Sequence, residues 1–113
     1  MIAKLVAAAL LLVNGALHIA EYALVPPSLP VMITAGFGAV YGALGLILPF
    51  GGRRLLVIAQ VISAIGGFMA VSSVWQDLQP MTFWIAGFVV LDLAVIWFCA
   101  WAKAELAADQ PPA

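Results

Sequence analysis

Between positions 2 and 102 the chain reads as four long apolar segments, about 2–25, 29–49, 55–74 and 81–102, parted only by "VPPSLP", "PFGGRR" and "QDLQP". A helix needs roughly 20 apolar residues to cross the hydrocarbon core of a bilayer, and each segment has them. Every joint carries the Pro or Gly that ends helices. Water is a poor solvent for such a chain. Of its 113 residues, 66% are hydrophobic and 8% charged, whereas a soluble domain carries about 25% charged residues. So short a chain cannot hide that excess inside a globule, because small domains bury only a modest share of their surface.

The expected fold is therefore an all-α membrane protein: one domain over residues 1–103, built as an antiparallel up-down bundle of four transmembrane helices. A polar tail, "AELAADQPPA", follows over 104–113 and is expected to fray. Joints this short predict that consecutive helices lie side by side. The first segment begins like a signal peptide, with Lys4 ahead of an apolar run. Its length and its lack of a small-x-small cleavage site predict a retained helix instead.

Charge placement predicts orientation. Lys4, Arg53, Arg54 and Lys103 are the four basic residues, and all fall at the end of the bundle that holds both termini and the middle joint. The positive-inside rule then puts both termini in the cytoplasm, in a cell membrane of the prokaryotic cytoplasmic kind. Trp75 and Trp84 would mark the outer interface, and Phe50, Trp97 and Trp101 the inner one. A net charge of −1 with four basic residues excludes nucleic acid as a partner. The lone cysteine, Cys99, excludes an internal disulfide.

Polar and small residues recur at spacings of three and four in each segment, which keeps them on one helical face. The stripes are Leu11, Asn14, His18, Glu21 and Val25; Thr34, Gly38, Tyr41 and Gly45; Gln60, Ser63, Gly67 and Ala70; and Ile85, Asp92 and Cys99. Small residues on such faces let helix backbones approach closely. With a rise of about 1.5 Å per residue, the midplane falls near Val13, Val40, Ala64 and Asp92. Asn14, Tyr41, Ser63 and Asp92 then form one buried polar layer. His18 lies about a turn outward, level with Gly36 and Met69. Glu21 and Thr34 reach the outer interface, where Glu21 is expected at the surface and Tyr22 in the aromatic belt.

Asp92 is the most constrained residue. An acid at the bilayer centre costs about 2.5–3.5 kcal/mol on insertion scales, so it should face the bundle interior. It reads either as interhelical glue, sharing hydrogen bonds with Asn14, Tyr41 or Ser63, or as a proton or cation site. His18 reads as a structural donor, as a relay partner of Asp92 or Glu21, or as a haem ligand with Met69 opposite. His18 and Glu21 lack the further carboxylates and histidine of a di-iron bundle, so no metal site is expected. No Ser-His-Asp set, phosphate loop or Cys cluster is visible, and no catalytic residue is expected.

Three functions fit these residues. The loops are too short for an extramembrane domain, and the polar residues can satisfy one another. The first expectation is therefore a small accessory subunit of a respiratory, photosynthetic or oxygenase-type membrane complex. Its partners would be the lipid bilayer and other subunits or copies of itself. The second is a small oligomeric transporter or proton/ion pathway using Asp92 and His18. The third is a redox protein binding haem or a quinone at His18, with Tyr22 and Trp84 completing a quinone site.

Overall fold

The computed structural model describes residues 1–109. Four helices account for most of them: α1 Ile2–Leu24, α2 Leu29–Ile47, α3 Arg53–Trp75 and α4 Phe83–Ala108. A 3-10 turn, Leu48–Phe50, joins α2 to α3. There is no strand among the described residues. Each of the four helices is long and apolar enough to span a membrane, which makes this a multi-pass membrane protein.

Local chemistry sets the helix ends. Ser28 caps α2, its Oγ accepting from Val31 N–H at 3.3 Å, with Pro30 in the first turn where no N–H is needed. Thr82 caps α4 the same way, accepting from Ile85 N–H at 3.3 Å, so that helix begins two residues later than its apolar run. Pro49 cannot continue an α-helix, and α2 gives way at Ile47. Asp77 turns the chain beyond α3 with φ 57°, a left-handed conformation that Asp tolerates.

The far end of α4 corrects an expectation. Residues 103–108 continue as helix to Ala108 instead of fraying. "KAELAA" is made of good helix formers, Leu106 packs against the core, and the Met1 ammonium pairs with the Glu105 carboxylate. The last four positions of the expected tail, 110–113, lie outside the described residues.

Packing centres on α1, which lies against both α2 and α4, while α3 lies against α4. Consecutive α2 and α3 are not among the closely packed pairs, so the expectation that every neighbour in sequence is a neighbour in space fails there. The reason lies in α3. Its buried residues, Leu56, Ala59 and Ser63, all belong to the half nearest the α2–α3 turn. Beyond Ser63 no residue of that helix is buried, and Phe68 is 74% exposed.

The solid core accordingly sits toward the terminal end, around Leu11, Tyr41, Leu44, Leu48, Leu56, Val95 and Cys99. Two hydrogen bonds tie it across the helices. Lys4 Nζ donates to Gly51 O at 3.1 Å, and Gln60 Nε2 donates to Ile96 O at 3.1 Å. At the opposite end, between α2 and α3, the bundle is open.

Candidate ligand-binding cavity

The opening is a cavity of about 460 Å³, within the range of small-molecule sites, about 300–1,000 Å³. Leu29 and Ile33 of α2 and Phe68 and Met69 of α3 line it and are exposed, as are Gln76 and Leu78 beyond α3, so it opens between those two helices and toward the α3–α4 joint. Its inner wall carries His18 and Glu21 of α1, Phe37 of α2, and Phe88 and Asp92 of α4. The cavity is blind. Tyr41 is fully buried and closes over Gly66, where a Cβ would collide with its Oη and lie 3.5 Å from Asp92 Oδ2.

The floor comes from three helices. Asn14 Nδ2 donates to Asp92 Oδ1 at 3.0 Å, joining α1 to α4, and both residues are buried. Asp92 presents its other side to α3, with Oδ2 3.5 Å from a Cβ position at Gly67. Asn14 Oδ1, Tyr41 Oη and Ser63 Oγ are buried without hydrogen-bond partners among the described residues. Asn14, Tyr41 and Asp92 thus meet, while Ser63 is buried one turn from Gly66 and Gly67 on α3.

His18 is held on three sides. Its ring stacks on Phe88, centroids 3.7 Å apart at 20°, and meets the Tyr41 ring edge-on at 5.2 Å. Its backbone side abuts α2, since a Cβ at Gly38 would stand 2.6 Å from His18 Cβ. Nδ1 lies 2.7 Å from Asn14 O, one turn earlier in α1. A carbonyl oxygen can only accept, so Nδ1 carries the proton. In the neutral ring Nε2 is then a hydrogen-bond acceptor, and no described residue donates to it.

Glu21 departs from its expected place. It is 6% exposed, not at the surface, and its Oε1 accepts from Thr34 Oγ1 at 3.0 Å. Three residues beyond His18 on the same stripe, it is turned toward α2, whose first turns carry Thr34. Thr34 Oγ1 also approaches Val31 O at 2.8 Å. Tyr22, by contrast, is 51% exposed on the outside of α1. Neither Tyr22 nor Trp84 is among the lining residues; Trp84 packs behind the wall, 6.4 Å from the Phe88 ring. Met69 shares the cavity with His18, whereas Gly36 has nothing within 4 Å of a Cβ position.

Phe88, Phe37 and Gly66 belong to the site and were not singled out from the sequence. Phe88 lies one turn before Asp92 on the stripe that already held Ile85 and Asp92, so its spacing carried the signal. Gly66 carried none, because its role comes from the Tyr41 hydroxyl on another helix. Among the described residues there is no group of three or more His, Cys, Asp or Glu side chains placed to hold a metal ion.

Compared with known proteins, the chain matches no family model, no curated protein and no solved structure.

Proposed function

We propose that this protein is a membrane-embedded binding protein for a small lipophilic molecule, which enters sideways from the bilayer between α2 and α3. The blind cavity of about 460 Å³ carries the reading. It joins an apolar mouth, suited to a hydrocarbon body, to a wall of polar groups that can orient a head group. With the termini in the cytoplasm of a prokaryotic cell membrane, the cavity sits in the outer leaflet.

The geometry favours this over the other roles. A pathway for ions needs continuity, and here the floor ends on Tyr41 and the packed core behind it. An accessory subunit needs a face that only protein can satisfy. The exposed outer half of α3 is apolar, and lipid chains satisfy such a face equally well.

The test is to fill the cavity. Ala70 lines it from α3, and Ala70→Trp places an indole in the space. Native mass spectrometry of the protein released from its own membrane should show a lipophilic adduct on the unaltered chain that Ala70→Trp lacks. Identical adducts on both would refute the reading.

A further inference from the structure

We propose that the head group held against the inner wall is a primary or secondary ammonium, so that the ligand is a protonated lipophilic amine. This rests on the reading of the cavity as a binding site and deepens it.

The first support is charge. Two carboxylates, Glu21 and Asp92, line the cavity at 6% and 2% exposure, and no Lys or Arg lines it. All four basic residues lie at the other end of the bundle, at positions 4, 53, 54 and 103. Each acid has a neutral donor within the protein, Asn14 for Asp92 and Thr34 for Glu21, and neither has a cation beside it among the described residues. An anionic head group would meet two acids and no counter-charge.

The second support is hydrogen-bond polarity. His18 and Glu21 each have one polar atom engaged within the protein and one without a protein donor. His18 donates through Nδ1, which leaves Nε2 as an acceptor. Glu21 receives Thr34 on Oε1, leaving Oε2. Asp92 is committed within the protein, receiving Asn14 on Oδ1 and facing the Tyr41 hydroxyl beside Gly66 with Oδ2, and it adds negative charge to the wall. Two acceptors, His18 Nε2 and Glu21 Oε2, call for a head group that donates. A primary or secondary ammonium donates two or three N–H groups, a quaternary ammonium none, and a quinone carbonyl only accepts. The aromatic rings of Phe37 and Phe88 line the same wall, an environment that favours a cation over an anion.

The full chain in phosphatidylcholine nanodiscs, titrated with dodecylamine, dodecyltrimethylammonium and dodecanol, tests this by native mass spectrometry. Dodecylamine should bind one to one and about tenfold or more tighter than dodecanol. Glu21→Gln should remove that preference by weakening dodecylamine about tenfold, more than it weakens the uncharged dodecanol, and Asp92→Asn, which keeps an oxygen acceptor for Asn14, should do the same. Equal binding of the amine and the alcohol, both blocked by Ala70→Trp, overturns the ammonium and leaves the cavity reading standing. Dodecyltrimethylammonium binding as tightly as dodecylamine overturns the requirement for a donating head. Failure of all three probes to bind overturns both readings. Discs containing phosphatidylethanolamine identify the source. Displacement of the amine by that lipid supports a lipid ammonium, and undiminished amine binding supports a free amine.

Discussion

The pair Asn14 and Asp92 shows what a single polar contact does in a helix bundle. Both side chains are buried, and their 3.0 Å hydrogen bond is the polar link between α1 and α4 at mid-height. Interhelical hydrogen bonds in membranes contribute on average about 0.6 kcal/mol and at most about 2 kcal/mol, so this one sets register more than it sets stability. A double-mutant cycle of Asn14→Ala and Asp92→Ala, read by reversible unfolding in mixed micelles, should give a coupling of about 0.6–1.7 kcal/mol. A coupling of zero would show that the two side chains act independently. His18, one turn above, is placed by ring packing on Phe88 and Tyr41 and by the Asn14 carbonyl, and not by a charged partner.

At the scale of elements, the α1–α2 seam depends on three glycines. A Cβ at Gly15 would stand 2.8 Å from Gly38 O, and one at Gly45 would stand 2.9 Å from Ala8 O. Gly38 meets His18 in the same way from the other side. Backbone atoms cannot move aside as side-chain tips do, so the helices must separate to admit a methyl group. Gly15→Ala should therefore destabilise the bundle by about 1–3 kcal/mol, the usual cost of overpacking. Gly36→Ala, on the same α2 but with nothing within 4 Å, should be neutral or stabilising by up to about 1 kcal/mol, since Ala favours helix over Gly. Equal effects of the two substitutions in the same unfolding assay would remove the seam from the account. The tight seam has a second effect. With α2 drawn against α1, it is not available to cover the outer half of α3, and the cavity opens there.

For the whole molecule, charge asymmetry predicts which way the bundle stands. The only cysteine is buried, so single thiols can be placed at will. Leu78, 67% exposed in the α3–α4 joint, and Gly52, open at the α2–α3 turn, lie at opposite ends. A membrane-impermeant maleimide added to intact cells should modify Leu78→Cys and leave Gly52→Cys untouched. The reverse pattern would invert the topology and place the cavity in the inner leaflet.

Helix number, membrane class and the inward faces were readable from sequence, because length and three-and-four spacing are local properties of a chain that must satisfy its backbone inside lipid. The common level of Asn14, Tyr41 and Asp92 followed from counting residues along each segment. Glu21 was misplaced because depth alone does not say which helix lies opposite, and Thr34 does. The cavity was not legible at all. It exists because α2 packs on α1 through glycines while α3 packs mainly on α4, and the choice among possible helix pairings is made by contacts between segments far apart in sequence. The sequence by itself determined four membrane-spanning helices and their polar faces. Only the tertiary structure decided that two of those helices part at one end, since helix separation is set by side-chain volume across an interface that no single segment contains.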